Sequence, residues 1–330
     1  MKPIRRILFA VRNPVERRQP GIVKAIAIAR SFGASLEVFH ALSSPMFGGR
    51  DPMTRGTLAS LRQQAVERAR EHLEKLSVLA NRSGVTFSCA AEWDYPPHEA
   101  IVRRAAMFGA DLIVAECHRG RRTQPWLMHL TDWELLRTST LPVLLLKNAR
   151  RYRRPVVLAA VDPLHAHDKP ARLDADIMAA GAQFSVGLHG RLHVMHANNP
   201  PLGTLAISEL ATNPPAFSMA YEALEQQGRE TFENFMQAMG IAPARQHLIN
   251  RMPTVAIPAL ARSTRAALVV MGAVSRSGLS RVFIGNTAER VLDALPCDVL
   301  VIKPRGTKTR VAPAVRRTRA LPQPAIPLVA

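Results

Sequence analysis

ALVVMGAVSRSGLSRVFIGNTAERVLDALPCDVLVIK, residues 267–303, decides the fold. The apolar run Leu268 to Met271 reads as a buried strand, and Gly272 follows it at once. A polar loop of small residues holds Ser275, Arg276, Ser277 and Gly278. Gly285, Asn286 and Thr287 then open a helical pattern with Val291, Leu292 and Leu295 on one side. Pro296 ends that helix, and Val299 to Ile302 is a second apolar run. Strand, glycine loop, helix and strand make one α/β unit. Glycines at a strand exit and a helix start let a phosphate reach backbone N–H groups with no Cβ in the way.

The unit occurs twice. Leu112 matches Leu268, Thr131 matches Thr287, Leu136 matches Leu292 and Val143 matches Val299, each pair 156 positions apart. A constant offset is the mark of internal duplication. Strands are expected at Arg5–Val11, Ser35–Leu42, Val85–Ala91, Asp111–Ala115 and Pro142–Lys147. A second set is expected at Val156–Val161, Arg191–His196, Arg245–Asn250, Ala267–Met271 and Asp298–Ile302. Helical patterns lie between them. The longest, Thr54–Arg82, places Leu58, Leu61, Ala65, Ala69, Leu73, Leu76 and Leu79 on one face. Such alternation predicts two tandem Rossmann-like or flavodoxin-like α/β domains, each a five-stranded, mostly parallel sheet flanked by helices. The boundaries read as 1–150 and 151–304, joined by a basic linker at Arg150–Arg154. The Arg- and Pro-rich segment 305–330 lacks periodicity and is expected to hold no fixed structure.

The opening stretch resembles the signature of the universal stress proteins. Their nucleotide-binding members carry Gly, two residues, Gly, nine residues, then Gly followed by Ser or Thr. Here the positions read Gly272, Ser275 and Gly285–Asn286, with Thr287 beside them. Ser275 therefore replaces the second glycine. Its Cβ costs about 1–2 kcal/mol if the loop needs a left-handed conformation there. The wording GNTAERV and PCDVLVIKP is similar to the tandem, two-domain type of the family. The resemblance implies that one chain reproduces the dimer of single-domain members, paired through the strands near Pro142–Lys147 and Asp298–Ile302. Whether two such chains form a homodimer is left open by the sequence.

Comparing the halves locates the expected site. Gly272, Ser275, Gly278 and Gly285 correspond to Glu116, Arg119, Arg122 and His129, none of them small. A carboxylate at 116 would oppose a phosphate. The first half thus reads as a degenerate site and the second as the candidate. Ligands of open α/β sheets bind beyond the carboxyl ends of the strands, where strand order reverses. The first strand of the second half ends Ala160–Val161–Asp162, where the first half has Val11–Arg12. The resemblance carries Asp162 to the nucleoside, and Gly272, Ser275, Gly285, Asn286 and Thr287 to the phosphates of ATP or AMP. The hydroxyls of Ser275, Ser277 and Thr287 offer neutral donors and Arg276 a charge, and Val161, Met271 and Gly278 complete the residues expected to bind the nucleotide. Any magnesium would arrive with the nucleotide.

Other chemistry is thin. His165, His167 and His196 fall near the carboxyl ends of neighbouring strands, where three imidazoles can hold zinc. Neither Cys-x-x-Cys nor His-Glu-x-x-His accompanies them, and no metal is assigned. There is no Gly-x-Ser-x-Gly elbow and no complete P-loop, so no catalytic residue is assigned. Three cysteines make no disulfide framework and suit a reducing compartment, hence a cytoplasmic protein. No run approaches the ~20 apolar residues that span a bilayer. The net charge of +19 is spread along the chain without interleaved aromatics. It supports non-specific adhesion to polyanions rather than specific nucleic-acid recognition. The expected function is that of a nucleotide-binding regulator of stress tolerance. A non-binding scaffold and a slow ATPase are the alternatives.

Overall fold

The computed structural model describes residues 2–16, 19–42, 55–117, 125–164, 172–199, 214–272, 286–304 and 311. The first half runs β1 (Arg6–Ala10), α1 (Pro20–Phe32), β2 (Ser35–Leu42), α2 (Arg55–Glu74), α3 (Ser77–Arg82), β3 (Phe87–Trp93), α4 (Pro97–Phe108), β4 (Leu112–Glu116), α5 (Pro125–Thr138) and β5 (Val143–Leu146). The second runs β6 (Val156–Val161), α6 (Leu173–Gly187), β7 (Arg191–Ala197), α7 (Pro214–Ala238), a 3₁₀ turn (Pro243–Arg245) and β8 (Gln246–Ile249). It continues with α8 (Pro253–Ser263), β9 (Leu268–Gly272), α9 (Asn286–Ala294) and β10 (Asp298–Ile302). Pro20, Pro97 and Pro253 each stand at a first helical position, where the fixed φ suits the turn and no N–H is lost.

All ten strands form one sheet in the order β3-β2-β1-β4-β5-β10-β9-β6-β7-β8. Each half contributes five strands that run parallel to one another. The halves join where β5 meets β10 antiparallel, with Val143 opposite Val301 and Leu145 opposite Val299. This is the pairing expected from the family resemblance.

Helices cover both faces, which explains why the strands read as unbroken apolar runs rather than alternating ones. Ile7, Phe9, Val157 and Val270 face a core shared with Ile22 of α1, Leu73 of α2, Phe184 of α6 and Phe232 of α7. Leu8, Leu158 and Val269 face the other core, with Ile101 of α4, Leu136 of α5, Ile257 of α8 and Leu292 of α9. Each core is continuous across both halves.

One expected element differs. The helical pattern over Thr54–Arg82 is broken after Glu74, and α3 restarts at Ser77. Of the predicted face, among the described side chains, only Ala69 and Leu73 are buried, while Leu61 and Leu79 are exposed. A tighter turn, with Leu76 N–H bonded to the Leu73 carbonyl at 3.0 Å, marks the break, and Ala80, seven residues after Leu73, is buried in place of Leu79. Among the described residues no helix is long and apolar enough to cross a membrane.

Candidate functional site

In the second half the strand order reverses between β6 and β9, which pair from Val157 opposite Leu268 to Ala159 opposite Val270. The exits of these two strands, Val161–Asp162 and Met271–Gly272, therefore meet at the crevice where ligands of such sheets bind. Asn286 and Thr287 form the first turn of α9. Ser275, Arg276, Ser277, Gly278 and Gly285 lie outside the described residues, as do His165 and His167.

The strand exit at Asp162 is held by two side chains. The Asp162 N–H donates to the buried Asp174 carboxylate at the start of α6, at 3.0 Å. His196 of β7 donates from Nδ1 to the Val161 carbonyl at 3.1 Å. The same ring lies 3.9 Å from Asp162 Oδ1 and stacks on Phe232. The Asp162 side chain keeps 23% of its surface exposed, so its carboxylate is not sealed in the core. A carboxylate held there can accept hydrogen bonds from a sugar hydroxyl or a base amine.

The histidine clasp is duplicated. His40, 156 positions before His196, bonds the Val11 carbonyl at 3.0 Å. Burial pushes the His40 imidazole below its ordinary value of 6.5, so it is neutral near pH 7. The strand histidines thus tie the ends of β1 and β6 to their neighbours. His196 of the suggested zinc set is engaged with backbone, and the described residues contain no cluster of three or more metal-binding side chains.

The two halves differ in how the crevice is filled. A Cβ on Gly272 would lie 2.7 Å from Leu173 Cδ2 and 3.3 Å from Ile177 Cδ1. Any side chain at 272 would therefore have to displace Leu173 of α6. In the first half the counterparts of Ile177 and Gly272 are Gly21 and Glu116. A Cβ on Gly21 would collide with the Glu116 carboxylate. Large and small partners have exchanged places across the same helix–strand contact. Beside Glu116 the first half keeps a shallow cavity of about 260 Å³ lined by Arg12, Asn13, Cys117 and Lys147. Sequence reasoning missed Asp174 and Leu173, which lie in a helix with no signature of their own. Their proximity to Asp162 and Gly272 follows only from the packing of α6 on the sheet.

Comparison with known proteins follows the same division. The model of the Universal stress protein family matches the chain twice, at residues 3–147 and 157–303. Universal stress protein E of Escherichia coli (strain K12) is 26% identical over 309 residues, covering 92% of this chain and 96% of that protein. The Universal stress protein E homolog of Haemophilus influenzae is 26% identical over 300 residues, with 89% and 91% covered. Among solved structures, a putative universal stress protein from Pseudomonas aeruginosa UCBPP-PA14 superposes with a TM-score of 0.66 at 26% identity, covering 91% of this chain and 94% of that one. A universal stress protein from Archaeoglobus fulgidus shares the fold with a TM-score of 0.57 at 15% identity, covering 90% and 96%. The chain belongs to the universal stress protein family, with two of its domains in tandem.

Proposed function

We propose that the second domain binds an adenine nucleotide, ATP or AMP, and that the protein acts in stress tolerance as a nucleotide-responsive regulator. The observation that carries this reading is the meeting of Asp162 and Gly272 at the reversal of strand order in the second half. The matching positions of the first half hold Arg12 and Glu116. Asp162 would take the nucleoside end. The loop from Gly272 to Gly285, with Ser275, Arg276, Ser277 and Gly278, would take the phosphates together with Asn286 and Thr287 at the start of α9. A helix start favours negative charge through its free N–H groups.

Equilibrium binding of ATP and AMP to the full chain tests this, at about 0.15 M salt so that the +19 charge is screened. One saturable site is expected. Asp162→Ala should weaken it by about tenfold, the worth of one charge-assisted hydrogen bond. Gly285→Trp should abolish it. Absence of saturable binding sinks the reading, and unchanged binding by both variants moves the nucleotide elsewhere. Release of phosphate from bound ATP would favour the slow ATPase.

A second reading has its own observation. Leu173 and Ile177 occupy the space over Gly272, as filling side chains of a purely structural contact would. Under that reading the chain is a scaffold of the stress response, and neither nucleotide binds.

A further inference from the structure

Lys147 and Lys303 are duplicates, 156 positions apart, just beyond the ends of β5 and β10. Lys147 crosses to the other half and caps the end of α9. Its ammonium donates to the Leu292 carbonyl and, at 2.8 Å, to the Leu295 carbonyl. Such a cation at a helix C-terminus satisfies carbonyls that lack partners and faces the negative end of the helix dipole. The corresponding acceptors for Lys303 are the carbonyls of Leu136 and Ser139 at the end of α5. Lys303 takes neither. Among the described residues its ammonium has no hydrogen-bond partner, although the residue is only 6% exposed.

The surroundings explain the difference. On the seam side of Lys147 stand the buried pair Lys24–Asp298 and Tyr152. The counterparts of Lys24 and Asp298 are Ala180 and Pro142, which are smaller and uncharged. Beside Pro142 a cavity of about 710 Å³ opens between the halves, and Lys303 lines it. Its walls are mostly apolar, with Val102, Ala105, Leu141, Pro142 and Ile302 among them. Two carboxylates also reach the lining. Asp111 is engaged by the N–H groups of Arg5 and Arg6, and Asp176 belongs to α6. No ion pair joins Lys303 to either among the described residues.

An ammonium taken out of water without a partner is unfavourable, and an incoming anion removes that cost. Of the two lysines in the lining, Lys2 is exposed and solvated, so the one buried ammonium, Lys303, matches a single negative charge. The nearby carboxylates of Asp111 and Asp176 disfavour a phosphate dianion. The apolar walls match a hydrocarbon body. We propose that the cavity between the halves binds a small organic monocarboxylate with an apolar body, its carboxylate paired with Lys303. The ligand's oxygens stand where the helix carbonyls stand for Lys147. This cavity adjoins the crevice, since Ile302 pairs with Gly272, but neither Asp162 nor Gly272 lines it.

Calorimetric titration of the full chain with decanoate and with decanol tests the proposal, below micellar concentrations and at about 0.15 M salt to suppress surface adsorption. Decanoate should bind the wild type at one saturable site. Lys303→Met should weaken it at least tenfold, Lys303→Arg should retain it, and decanol should not distinguish the wild type from Lys303→Met. Equal decanoate affinity in wild type and Lys303→Met overturns the proposal, as does absence of saturable binding. If Lys303→Met fails to fold, Thr140→Trp at the cavity lining replaces it. Loss of decanoate binding in Thr140→Trp supports the site, and unchanged binding refutes it.

Discussion

Lys24 and Asp298 form an ion pair that joins α1 of the first half to the start of β10 in the second, with both side chains almost wholly removed from solvent. Asp298 also accepts from the Tyr152 hydroxyl at 2.6 Å and from the Lys147 N–H at 2.8 Å. Lys24 donates to the Asn148 carbonyl at 3.2 Å and lies over the Tyr152 ring. Removing one partner leaves the other as a buried, uncompensated charge. Asp298→Ala is therefore expected to destabilise the protein by about 3–5 kcal/mol. Adding Lys24→Met to that variant should recover part of the loss, because the orphaned charge goes with it. Urea denaturation of the four chains of this cycle measures both effects.

The contact between α6 and β9 makes its own prediction. Leu173 is buried and sits where a Cβ on Gly272 would go. Gly272→Ala forces that side chain aside and should cost about 1–3 kcal/mol, the usual range for overpacking. Leu173→Ala in the same chain should relieve the clash, so the double variant should be more stable than the sum of the single losses predicts. A coupling energy near zero in denaturant melts would show that the two residues do not compete for this space.

Four histidines set the acid side of the stability profile. Burial lowers the pKa of His40, His98, His193 and His247 below the ordinary 6.5. His193 and His247 also bond to each other at 3.0 Å, an arrangement that needs at least one neutral ring. In the window between the lowered values and 6.5 the unfolded chain binds more protons than the folded one. Their contribution is thus complete above pH 6.5 and is lost as pH falls through the lowered values. The denaturation midpoint should fall as pH goes from 7 to 5, and His193→Gln with His247→Gln should flatten that fall. A midpoint unchanged over this range would contradict the assignment.

The thiols are predicted to be inert. Burial pushes Cys117 and Cys297 up to about 12, with Asp132 and Asp298 adding to the effect, and it raises Cys89 as well. Since the thiolate is the reactive form, alkylation by iodoacetamide at pH 8 should be far slower in the folded protein than in urea. Mass spectrometry of the three cysteine peptides reads this directly. Rapid labelling of Cys117 in the folded state would show that its thiolate is stabilised by something other than these neighbours.

Most of the fold was legible because its physics is local and repetitive. Runs such as Leu268–Met271 and Val156–Val161 are apolar at every position because helices cover both faces of the sheet. The constant offset between Leu112 and Leu268, or Val143 and Val299, exposed the duplication. The break between α2 and α3 was not legible, since Leu61 and Leu79 continue a helical spacing that the tertiary packing does not use. At the candidate site, Asp162 and Gly272 could be placed because strand exits follow from strand ends. Leu173 over Gly272, Asp174 under Asp162 and Lys303, without a partner among the described residues, could not. Each depends on a contact between residues distant in sequence whose identities obey no spacing rule. Lys303 did carry a signal, its match to Lys147, but the match fixes a position and not the partner found there.

The antiparallel seam between β5 and β10 has one more consequence. In a dimer of identical chains, every residue appears on both sides of the two-fold axis, so any change at one site is forced on the other. Covalent fusion of the copies lifts that constraint. Glu116 stands in one crevice where Gly272 stands in its twin. Likewise Asp298 could fill one side of the seam while Pro142 left the opposite side hollow. A symmetric assembly has thereby become a single molecule able to carry two unlike sites that evolve independently.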